Sequence, residues 1–152
     1  MGKILKLLLM AFLAVIIVLP SWAAEEAGLI KIVKGAVSID RNSQKIAAAA
    51  GMTVVAGDKV ITGDDGSVGI TLRDNTLLSA GPKSMLVINN FTFNASTHTG
   101  TLDASLKRGT LAVVSGKLAK NSTNSVQFRT PAAILGVRGT EFVIDAGSGN
   151  EE

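Results

Sequence analysis

The 152-residue sequence has no cysteine and no tyrosine, and only one histidine, one tryptophan and three prolines. Without cysteine there is no disulfide framework, no thiol nucleophile and no thiolate metal site, so packing and backbone hydrogen bonds must hold the fold. His98 is the sole imidazole. A metal site or a catalytic dyad built on histidine therefore lacks its second member, and the expected role of His98 is a surface loop residue. The sequence carries no Gly-x-Ser-x-Gly elbow, no Ser-x-x-Lys pair, and neither of the glycine patterns that cradle phosphates. Asp64-Asp65 could suggest calcium, but two adjacent carboxylates supply too few oxygens and lack the alternating spacing of a calcium loop. The expectation is no enzyme activity and no catalytic, cofactor-binding or metal residue. Asn90, Asn94 and Asn121 each open a glycosylation triplet, a pattern short enough to recur by chance.

The beginning of the chain has the layout of a secretory leader. Lys3 and Lys6 precede an uninterrupted apolar run from Leu7 to Leu19, too short for a membrane span, which Pro20 ends. Ser21-Trp22-Ala23 then offers small residues at the two positions a signal peptidase reads. The sequence thus predicts a signal peptide over 1–23, an N-terminal extension over 24–28, one domain over 29–145 and a disordered tail over 146–152. The mature form is expected in the periplasm or secreted, without a stable membrane span; the competing expectation is a leader retained as an anchor. Because Lys3 and Lys6 leave with the leader, the formal charge of +3 falls to about +1. The basic pI then says nothing about nucleic acid, and Phe91, Phe93, Phe128 and Phe142 are too scattered to make a stacking platform.

What remains alternates apolar and polar residues in short runs broken by Gly, Asn, Asp and Pro, which predicts an all-β domain of short antiparallel strands and hairpins. Two packed sheets compete with a short solenoid-like or barrel-like arrangement. Leu29 to Ile39 reads as two strand halves bent at Gly35. Val68, Ile70 and Leu72 share one face, as do Leu86 and Ile88, and again Leu102, Ala104 and Leu106. Asp64-Asp65-Gly66, Asp74-Asn75 and Gly81-Pro82 read as hairpin turns. "QKIAAAAGM" is compatible with about one helical turn, and Ala119 to Ser125 reads as a loop with no apolar anchor.

The segment "RTPAAILGVRGTEFVID", Arg129 to Asp145, holds the one residue whose role the residues leave open. Arg138 could offer its planar fork to an anion. Alternatively it ties to backbone carbonyls, Glu141 or Asp58 and fixes the entry of the last strand, and this structural role is the expectation. Thr130 is expected to be extended ahead of Pro131, with Gly136 and Gly139 allowing a tight reversal before Phe142 and Ile144 turn inward. A remoter reading places Asp58, Glu141 and Arg138 together in an enzymatic cleft.

Three segments taken in order, "GMTVVAGDKVITGDDGSVGITLRDNTLLSAGPKSMLVI", "LKRGTLAVVSG" and "VQFRTPAAILGVRGTEFVI", resemble the FecR domain of exported bacterial proteins. The most specific parts are Thr130 to Phe142 and "GDKVITG" (Gly57 to Gly63). The resemblance implies signature residues of structural rather than catalytic role. They are Gly57, Asp58, Thr62, Gly63, Asp74 and Gly109 in its first part. In its last part they are Thr130, Pro131, Gly136, Val137, Arg138, Gly139, Thr140 and Phe142. Asn75 stands where the family often has glycine, a substitution the left-handed turn tolerates. In the namesake such a domain lies in a signalling chain between an outer-membrane iron transporter and a sigma factor. With only Met1 and Gly2 before Lys3 and a short tail after Asp145, the expectation here is a shared fold without that circuit. The chain is expected to bind an envelope protein or polymer; the alternative is periplasmic signalling, with the cytoplasmic part on another chain.

Overall fold

The computed structural model describes residues 2, 24–121, 124–139 and 141–149. The expected leader therefore lies outside the described residues apart from Gly2, as do Thr140 and the last three residues of the tail. Among the described residues no helix is long and apolar enough to cross a membrane.

Among the described residues thirteen strands form two sheets. In chain order they begin with β1 (Glu26–Lys34), β2 (Val37–Arg41), β3 (Gln44–Ala47), β4 (Thr53–Val55), β5 (Lys59–Thr62) and β6 (Ser67–Leu72). Then come β7 (Leu77–Ala80), β8 (Met85–Asn94), β9 (Thr99–Arg108) and β10 (Thr110–Val114). A short helix α1 (Lys117–Asn121) precedes β11 (Val126–Arg129), β12 (Ile134–Gly136) and β13 (Glu141–Asp145). The first sheet runs β13-β10-β7-β6-β1-β4, and the second runs β12-β11-β9-β8-β5-β2-β3. All pairings are antiparallel except β11 with β9. The sheets pack face to face, neither closes into a barrel, and the all-β expectation resolves to a sandwich.

The inward faces are those the alternation marked. Val68, Ile70, Leu72, Leu86, Ile88, Leu102, Ala104 and Leu106 are all buried, and they join Phe91, Phe128, Ile30 and Ile39 in one core. Each large apolar side chain moved there from water contributes about 1.5–3 kcal/mol before ordering costs.

The turns differ from the expectation in what they connect. Among the described residues, hairpins within one sheet join β2–β3, β6–β7, β8–β9 and β11–β12, and every other connection crosses between sheets. Asp64-Asp65-Gly66 and Gly81-Pro82 are such crossings rather than hairpins, whereas Asp74-Asn75 does close a hairpin, with Asn75 at φ 68°. Gly35, at φ 62°, turns the chain from β1 to β2, and an added Cβ would lie 2.3 Å from the Asp65 carbonyl oxygen. The bend expected there is thus a corner of the sandwich.

Four further expectations are corrected. "QKIAAAAGM" forms β3 and a turn, because pairing of Ile46 with Ile39 outweighs the helical preference of alanine. Ala119 is buried beside Leu118 in α1, so the stretch read as loop does have an apolar anchor. β1 begins at Glu26 with Ala27 buried, taking in part of the supposed extension. The tail is not wholly free, since Ala146 donates to the Gly109 carbonyl (2.9 Å) and Gly109 donates to that of Gly147 (2.8 Å).

Candidate functional site

The first group of signature residues builds the interior. Asp58 follows the turn into β5, and its carboxylate is fully buried. It receives Arg41 Nε (2.7 Å), Arg41 Nη2 (2.6 Å) and the Val55 amide (2.9 Å). The bond to Asp58 raises the Arg41 pKa above its ordinary value, against a smaller effect of burial. A buried carboxylate is tolerable because a fork and an amide satisfy it.

Thr62 ends β5 at the next corner. Its hydroxyl donates to the Gly81 carbonyl (2.6 Å) and accepts from the Ser84 amide (2.8 Å). Ser84 Oγ accepts from the Thr110 amide (3.0 Å), so three crossings are knotted together. Gly109 sits beside that hydroxyl at φ 82°, where an added Cβ would approach Ser84 Oγ to 2.2 Å. Glycine is required there by conformation and by space.

Asp74 binds the Thr76 amide (3.1 Å) and hydroxyl (2.7 Å), and Leu118 donates its amide to the same carboxylate (3.3 Å). It thereby satisfies an amide at the start of α1, far along the chain. Gly57 donates to the Ile88 carbonyl (2.7 Å), and Gly63 to that of Ala36 (2.8 Å).

The last group is arranged differently. Thr130 closes the β11–β12 hairpin, its hydroxyl accepting from the amides of Ala132 (3.3 Å) and Ala133 (3.0 Å). Pro131, Ala132 and Ala133 are exposed, and so is the whole of β12, with Ile134 62% and Leu135 38% accessible. Only Val137 turns into the core, its amide bonded to the Val126 carbonyl (3.1 Å). Gly136 has open space around it, so the reversal depends on Gly139, at φ 54°. In β13, Ile144 is buried and Phe142 half-buried, with the Phe142 ring set edge-on to Phe128 at 5.6 Å. Val143 is 70% exposed.

The expectation for Arg138 is corrected. It is exposed and has no hydrogen bond or ion pair among the described residues, while Asp58, its expected partner, is filled by Arg41. Glu141 is also exposed, so the geometry does not assemble Asp58, Glu141 and Arg138 into a cleft. His98 is half-buried, its ring stacked 6.3 Å from that of Phe93 at the β8–β9 turn.

β12 and β13 are terminal strands of the two sheets. β12 pairs only with β11, leaving one row of backbone donors and acceptors unused among the described residues. Behind it β11 is braced on β9, since Arg129 Nε (3.0 Å) and Nη2 (2.8 Å) both bond the Asp103 carboxylate. That bond holds the Asp103 carboxyl below its ordinary pKa, partial burial opposing it and Asn89 assisting. The alternation in the sequence located β11 and β13. The exposure of β12 left no signal, because "AAIL" is apolar whether it faces a core or a partner.

A family model described as FecR protein matches residues 58–151. No curated protein and no solved structure matches the chain. The match begins at Asp58, so β1 to β4, which supply Arg41 and part of both sheets, lie before it. Since the matched region covers more than half of the sequence and contains every signature residue described above except Gly57, the chain belongs to the FecR family.

Proposed function

We propose that this protein is a non-enzymatic, exported interaction module that binds an extended segment of an envelope protein along β12. One observation carries the reading: a terminal strand with an unpaired backbone edge exposes Ile134 and Leu135. Natural sheets usually blunt such edges with charge, proline or cover, because an open edge invites another strand. An added strand takes affinity from main-chain hydrogen bonds and specificity from alternate side chains, which favours a polypeptide over a polymer as the partner. The leader-like start of the sequence supports a location in the periplasm or outside the cell.

Family membership favours a second reading, a role related to signal transduction, in which the bound segment belongs to a signalling partner. Both readings use the same edge and differ in who occupies it. A photoreactive amino acid at Ile134, with one at exposed Asn90 as control, tests them in the intact envelope. The expected result is a crosslink to one protein from position 134 and none from position 90. Equal crosslinking from both positions, or none from 134, removes the edge as the binding site. A crosslinked receptor or regulator selects the signalling reading.

A further inference from the structure

Across the second sheet, the register aligns Ala47, Ser38, Ile61, Met85 and Arg108 in a lateral row. Four of these, without Met85, line a cleft of about 890 Å³, with the corner residues Gly35, Ala36, Gly63 and Lys83 along its side. We infer that this cleft binds an acidic saccharide, a sugar unit carrying a carboxylate or phosphate group.

Its charge is one-sided. Among the described residues Lys45, Lys83 and Arg108 line it against a single carboxylate, Asp64. The Lys83–Asp64 pair is 4.0 Å apart with both side chains largely exposed, a geometry that ties the lysine down little. Arg108 supplies a more pointed feature. Its Nε is shielded from solvent and has no hydrogen-bond partner among the described residues. An oxyanion in the cleft would gain a charge-assisted bond from this guanidinium. Lys83 is also held at φ 54°, a conformation that lysine adopts only against a steric penalty. The Lys83 amide bonds the Gly63 carbonyl (3.0 Å), so the corner fixes where this cation stands.

The rest of the lining suits a sugar rather than a bare ion. Val37, Ala47, Ala48 and Ile61 give an apolar floor for a ring's C–H face, and Ser38 and Ser148 place hydroxyls at its margin. The volume lies in the range of small-molecule sites and exceeds what one phosphate fills. This site stands independently of the β12 edge, and either can fail without the other.

Calorimetric titration of the purified protein with glucuronate, glucose 6-phosphate, glucose and inorganic phosphate tests the inference. Glucuronate and glucose 6-phosphate are expected to bind and glucose to fail. Arg108→Gln should weaken binding by about tenfold or more, the loss of one charge-assisted contact. Because that variant could disturb the fold, Lys45→Ala/Lys83→Ala provides a second arm, since both lysines are exposed. It should lose binding while its thermal midpoint stays at the parent value. Inorganic phosphate binding as tightly as glucose 6-phosphate would overturn the saccharide assignment. Absence of binding by every probe, or binding that survives both variants, would overturn the site.

Discussion

The two stretches that most mark this sequence as a FecR protein, Gly57 to Gly63 and Thr130 to Phe142, have opposite physical fates. The first contains a fully buried carboxylate and a buried hydroxyl, each with several partners. The second presents a proline, two alanines, an isoleucine and a leucine to solvent and, of its described residues, sends only Val137, with part of Phe142, toward the core. A distinctive stretch of sequence can therefore specify a corner of the fold or a surface offered to something else. Burial and hydrogen bonding separate the two cases.

The sharpest way to break this contrast is through Arg41. Arg41→Ala leaves Asp58 buried with only the Val55 amide, and is expected to destabilise the protein by about 3 kcal/mol in urea unfolding. That is the low end for a broken buried pair, because part of the arginine reaches solvent. A loss below about 1 kcal/mol would mean that the carboxylate is not confined as described. Thr62→Val keeps the volume but leaves the Ser84 amide and the Gly81 carbonyl without partners, for about 2 kcal/mol by the same assay.

The Arg129–Asp103 brace gives a smaller, pH-dependent effect. Its carboxyl has a native pKa below the unfolded value, so its contribution is present above about pH 4 and fades as pH falls through the native value. Asp103→Asn should therefore flatten the acid side of the stability profile, read as urea midpoints between pH 6 and pH 2, and leave the neutral slope unchanged. Smallest in stability are Ile134→Asp and Arg138→Ala, each expected within about 0.5 kcal/mol of the parent. Ile134→Asp should nonetheless abolish the crosslink formed from a photoreactive amino acid placed at the neighbouring position 135. If it unfolds the protein instead, the hairpin belongs with the interior and the contrast fails.

Much of the sandwich was legible in the sequence, because a half-buried strand writes its inward face every second residue. Leu102, Ala104 and Leu106 are an example, and Phe128 with Val126 another. The sheet to which each strand belongs was not legible. Asp-Asp-Gly and Gly-Pro satisfy the dihedral demands of a crossing as readily as those of a hairpin, and the choice depends on strands elsewhere. Alanine at 47–50 was misread for the related reason that helical preference is weak beside pairing with a neighbouring strand. The partner of Asp58 was unreadable because Arg41 lies on β2, brought near only when β2 joins β5. Arg138 stood out by its glycine neighbours, yet conformational freedom around a residue carries no information about what its side chain meets.

The repeated passage of the chain between sheets also bears on timing. β1 lies between β4 and β6, and β11 reaches β9 only after β10 and α1 have been laid down, so beyond the four hairpins the native pairings join segments distant in sequence. Chains of this kind close large loops before contacts reward them, and typically fold over milliseconds to seconds. A polypeptide exported through a narrow channel must stay threadable until its last residues are delivered. For the proposed export, the crossings that lock the finished sandwich would also delay it, leaving the chain open while it is threaded.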